Sequence, residues 1–164
     1  MTDTMPYYKI PTMPIERRVQ DLLSRMTLEE KIAQLYQIWD LPHNRDLAKE
    51  FIGKFGVGSR ILAGSSLAGS GPGRKQRAEE INEWQRIAVE DTRLGIPILF
   101  GRDVIHGFRT IFPIPLGMAA AFEPNLVEQA FSVAAREAAS DGVKWAFAPM
   151  LDIARDPRWG RIAE

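Results

Sequence analysis

Two short stretches hold most of the residues that could do chemistry. The first is Gly101-Arg102-Asp103-Val104-Ile105-His106-Gly107-Phe108-Arg109, and the second is Asp152-Ile153-Ala154-Arg155-Asp156-Pro157-Arg158-Trp159-Gly160-Arg161. A carboxylate such as Asp103 can accept hydrogen bonds from two neighbouring hydroxyls, and an arginine can donate a planar fork to a third or steady a nearby acid. That is the chemistry of a sugar site. Each residue also has a plainer reading. Asp103 after an apolar run can cap a short helix. His106 stands without a second His or a Cys, so it makes a poor metal site and reads as structural. The alternating Arg155, Asp156, Arg158 and Arg161 can be an ion-pair network, and Trp159 either a platform for a sugar ring or a packing residue, as expected of Trp39, Trp84 and Trp145.

Composition removes several other chemistries. No cysteine is present, which excludes a disulfide framework, cysteine zinc sites and thiol catalysis. The 21 basic and 21 acidic residues cancel, so no global field draws the chain to nucleic acid or an anionic membrane. Gly69 to Gly73 lacks the G-K-[ST] ending of a phosphate loop, and Gly56-Val57-Gly58 lacks the third glycine of a dinucleotide fingerprint. The basic run Arg74, Lys75 and Arg77 reads as a solvated helix entry. No stretch is apolar for the length of a bilayer. A periplasmic location is expected if a signal peptide was removed, and a cytoplasmic one otherwise.

The elements that would position these residues follow from periodicity. Ile15, Val19, Leu22, Leu23 and Met26 share one helical face. Thr27 and Glu30 then form a capping box for a second helix carrying Leu28, Ile32, Leu35 and Trp39 up to Pro42. The pattern predicts a helical hairpin, then a strand over 55–63 with Val57, Ile61 and Leu62 in the core, a loop over 64–73, and a helix over 78–92 stopped by Gly95, with Ile81, Trp84 and Ala88 inward. A buried strand over 96–100 follows. The helix over 123–140 carries Val127, Phe131, Ala134 and Ala138, ends at Asp141-Gly142, and leads to a strand over 143–151. Strand, helix, strand, helix, strand implies an α/β fold with a parallel sheet, and both clusters then follow strand ends, where ligands bind in open sheets and barrels alike. A (β/α)8 barrel needs about 250 residues. The chain is therefore read as the N-terminal part of such a barrel: an extension over 1–14, then an incomplete barrel domain over 15–164. RWGRIAE shows no terminating pattern, which reads as truncation.

With both clusters in view, the sequence resembles glycoside hydrolase family 3, and within it the bacterial periplasmic-type β-glucosidases. The carriers are RVQDLLSRMTLEEKIAQL, GIPILFGRDVIHGFRTIFPIPLGMAAAF and APMLDIARDPRWGRIAE, in the family's order. The resemblance implies a retaining hydrolase of terminal β-D-glucosyl residues, without metal or organic cofactor, whose barrel precedes an α/β sandwich domain absent here. It implies that Asp103, the acid of a D-x-x-H-G motif, and Arg161, the last arginine of R-D-P-R-W-G-R, contact the terminal sugar of a β-glucoside or oligosaccharide. His106, Arg155, Asp156 and Arg158 match positions that shape the pocket. Many relatives have an aromatic residue where this chain has Arg102. The nucleophile and acid/base of the family, and its Lys-His pair, fall beyond residue 164, so none of Asp103, Asp152, Asp156 or Glu164 is assigned catalysis. A family 3 β-xylosidase and a non-catalytic carbohydrate-binding module remain as alternatives.

Overall fold

A computed structural model describes residues 5–39, 45–62 and 74–161 of the chain. A 3-10 turn at Tyr7–Lys9 precedes α1 (Ile15–Arg25), and α2 (Leu28–Gln34) follows at once. The capping box expected at the start of α2 is present: the Thr27 hydroxyl accepts from the Glu30 amide, and the Glu30 carboxylate accepts from the Thr27 amide. The extension is tied down by polar contacts. Tyr8 donates its amide to Asp21 at 3.0 Å and its hydroxyl to the Leu94 carbonyl at 2.7 Å.

Next come β1 (Gln37–Ile38), α3 (Arg45–Phe55), β2 (Ser59–Ile61), α4 (Arg74–Glu90), β3 (Leu99–Asp103), α5 (Pro115–Ala120), α6 (Pro124–Ser140) and β4 (Trp145–Phe147). The four strands form one parallel sheet in the order β1-β2-β3-β4. That order separates the two architectures left open by periodicity. A doubly wound sheet reverses its strand order at a switch point, whereas sequential parallel neighbours joined by right-handed crossovers keep every helix on one face. The sheet is thus an arc of a barrel wall, not closed among the described residues.

The core lies between this arc and its helices. Phe100, Ile52 and Ile87 are fully buried, joined by Ile81, Trp84 and Ala88 of α4 and by Ala134 and Ala138 of α6. Those α4 and α6 residues are the ones their helical spacing placed inward. The end of α6 is a Schellman motif: Gly142 at φ 88° donates to Ala139 and Val143 donates to Ala138.

Other expectations fail. Trp39 is 69% exposed and lies beyond the end of α2, which stops at Gln34 and not at the expected Pro42, while Trp145, 42% exposed, packs edge-on against Phe147 at 5.1 Å. The apolar stripes of α1 and α2 are also largely solvent-facing, with Ile15, Leu28 and Ile32 all exposed. α4 ends at Glu90, before the expected Thr92; Thr92 instead bonds back to the Ala88 carbonyl and receives the Gly95 amide. No helix among the described residues is long and apolar enough to cross a membrane.

Candidate functional site

Asp103 is the last residue of β3, paired in register with Phe147 of β4, and its side chain is exposed. It caps nothing, because the next helix, α5, begins only at Pro115. This removes the capping reading. The residue stands at the C-terminal rim of the sheet, held there by Phe100 behind it and by buried Val104 ahead of it.

The loop beyond Asp103 closes on itself. His106 Nδ1 lies 3.1 Å from the Phe112 carbonyl, and the Phe112 amide donates to the His106 carbonyl at 2.8 Å. A carbonyl only accepts, so Nδ1 carries the ring proton in this contact. His106 therefore shapes the loop, in line with its structural reading. Bridges pair Gly107 with Ile105 on one side and Ile111 on the other. Phe108 is buried, and the buried Arg102 guanidinium stacks over its ring at 5.1 Å.

From outside, α6 grips the loop. Glu137 accepts the amides of Arg109 and Thr110, each at 2.9 Å, and the Thr110 hydroxyl at 2.7 Å. One turn on, buried Asp141 pairs with the Arg109 guanidinium. Sequence reasoning assigned Asp141 only to the helix stop and missed Glu137. The available signal was two acids four residues apart on one helical face, opposite an arginine that follows a strand.

The second cluster follows β4 on the same rim. Asp156 accepts the Arg158 amide at 2.9 Å and its guanidinium at 2.5–3.1 Å, while its carbonyl accepts the Trp159 amide. Asp156 and Arg158 thus build a local turn, as their ion-pair reading anticipated. Arg155 and Arg161 are exposed and Trp159 is half-buried. Among the described residues no side-chain bond links Asp103 to this cluster. The β3–β4 register sets Asp103 opposite Phe147, from which the chain runs on to the second cluster. A cleft of about 430 Å³ between α5 and α6, lined by Phe112, Met118, Leu126 and Val133, is apolar and separate from this rim. No group of three or more metal-ligating side chains occurs among the described residues.

The site's carboxylates carry a pH signature. The Thr110 amide and hydroxyl, then the Arg109 amide, hold Glu137 below its ordinary value, and the Arg158 guanidinium does the same for Asp156. A lowered carboxylate contributes stability that is complete above its unfolded value and lost as pH falls through its folded one. The urea midpoint is expected to stay level down to roughly pH 5 and to fall below it. A midpoint that rises on acidification would contradict these contacts.

Residues 27–164 match the N-terminal domain of glycosyl hydrolase family 3. The chain is 40% identical over 147 residues to a periplasmic beta-glucosidase of Salmonella typhimurium, covering 89% of this chain and 18% of that protein. It is 35% identical over 175 residues to beta-glucosidase C of Emericella nidulans, covering 98% and 28%. The crystal structure of a beta-glucosidase from Listeria innocua in complex with glucose superposes with a TM-score of 0.71 at 36% identity, over 93% of this chain and 21% of that one. The chain thus spans between 18% and 28% of the lengths of these proteins.

Proposed function

Because the chain belongs to glycosyl hydrolase family 3, we propose that it carries part of the glucose-recognition rim of a retaining β-glucosidase. The observation that carries this reading is Asp103: an exposed carboxylate at the C-terminal end of a barrel strand, on a braced loop, in a fold that superposes on a glucose-bound β-glucosidase. Ionised, Asp103 only accepts, and the vicinal hydroxyls of a terminal glucose present donors at matching spacing. Arg161, on the loop after β4, donates to the same sugar from the neighbouring strand end. His106, Asp156 and Arg158 fix the backbone around them, and Arg155 borders the pocket.

Double displacement needs a nucleophile and an acid/base about 5 Å apart across the glycosidic bond. No residue of this chain takes either role. Both belong to the further length that the relatives possess, and the sugar contacts of this chain supply binding and orientation. The β-xylosidase reading has a footing of its own, since a putative beta-xylosidase of Formosa agariphila is 34% identical over 168 residues.

Three measurements test the proposal. The pure 164-residue chain should not turn over an aryl β-glucoside; turnover would place catalytic residues inside it. In a protein that carries the remaining length, Asp103→Ala should lower kcat/KM by about a hundredfold, the loss of charge-assisted hydrogen bonds. An unchanged value would remove Asp103 from the site. The aryl β-glucoside should also be preferred over the β-xyloside, and the reverse order would favour the xylosidase.

A further inference from the structure

We propose that Glu137, which lies outside both strand-end clusters, is a positioning residue that sets the sugar-binding loop after Asp103. The proposal rests on the glucoside reading of that loop. The loop leaves β3 at Asp103 and must reverse by Phe112, so its amides at Arg109 and Thr110 turn away from the sheet ladder. Backbone donors in that position need another acceptor. Glu137 supplies it with a single carboxylate: one oxygen takes both amides at 2.9 Å, and the other takes the Thr110 hydroxyl at 2.7 Å.

The arrangement fixes the loop in two directions. The His106–Phe112 pair closes its neck, and Val104 and Phe108 anchor its inner side in the core. Glu137 and Asp141 hold its outer side, one through the backbone and the other through the Arg109 guanidinium. α6 in turn is fixed by buried Ala134 and Ala138 and by its Schellman end. Glu137 does not touch the sugar. It transmits the rigid position of α6 to the backbone that carries Asp103 and His106.

Gln is the informative substitution. Its carbonyl oxygen can accept the two amides while its amide nitrogen donates to the Thr110 hydroxyl oxygen, so the loop geometry is retained; Ala removes all three bonds. In the protein carrying the remaining length, assayed with an aryl β-glucoside, Glu137→Ala should lower kcat/KM by about tenfold, chiefly through KM. Glu137→Gln should stay within about twofold of the parent. Arg136→Ala, exposed on the same helix, serves as the control. Circular dichroism at the assay temperature measures the folded fraction of each variant. Unchanged kinetics in Glu137→Ala, beside an impaired Asp103→Ala, would overturn the positioning role and leave the sugar site standing. A deficit that merely tracks the unfolded fraction, or that Gln fails to restore, would overturn it as well. An Asp103→Ala variant with normal kinetics would instead sink the sugar-site reading on which the proposal rests.

Discussion

Gly107→Ala is expected to destabilise the chain by about 3–5 kcal/mol, the sum of backbone strain and overpacking. Gly107 sits at φ 129°, a region that residues with a β-carbon rarely enter. A β-carbon there would lie 2.1 Å from the Thr110 carbonyl oxygen and 3.2 Å from the Ile111 α-carbon. Both obstacles are backbone, so no rotamer change relieves them. Nor can the backbone yield cheaply, because the Thr110 amide is held by Glu137 and residue 107 is bridged on both sides. Relief would open the loop after Asp103. Gly160→Ala is the control, since nothing lies within 4 Å of its built β-carbon. Thermal unfolding checks the result, and a Gly107→Ala midpoint within about 2 °C of the parent would refute it.

The same loop shows what sequence could and could not deliver. Asp103, His106 and the Arg155–Arg161 segment were legible because polar residues that directly follow apolar, β-compatible runs have one place to be in a parallel α/β fold. The helices α4 and α6 were legible because their inward residues recur at helical spacing and are covered on that side. Spacing identifies an apolar face; it does not say which surface covers it. The stripes of α1 and α2 are equally regular, yet they stay largely exposed. β1 escaped because two residues are too few to show alternation, and α3 because it follows closely on Pro42, which reads as the end of a helix. Glu137 escaped for another reason. An acid on a helix is usually a solvated residue, and its partners are backbone amides that no sequence pattern announces.

Gly58→Ala is expected to cost at least about 3 kcal/mol, through overpacking together with the loss of backbone hydrogen bonds. The sequence offers three glycines close together, Gly53, Gly56 and Gly58, with nothing to rank them. Geometry ranks them sharply. A β-carbon on Gly53, in α3, would meet nothing within 4 Å, so alanine there should gain about 0.5–1 kcal/mol from helix propensity. On Gly58 it would lie 1.9 Å from the Gln34 carbonyl oxygen and 2.5 Å from its carbonyl carbon. Gly58 cannot step aside, because its amide donates to Ala33 at 3.0 Å and its carbonyl accepts from Leu99 at 3.0 Å. Those two bonds tie the end of α2 to the start of β3, and Ser59 beside it sets the β1–β2 register. A shift at residue 58 therefore propagates along β3 toward Asp103. Urea denaturation of the two variants should move in opposite directions, and a Gly58→Ala midpoint at or above that of Gly53→Ala would show that α2 and β3 do not meet as described.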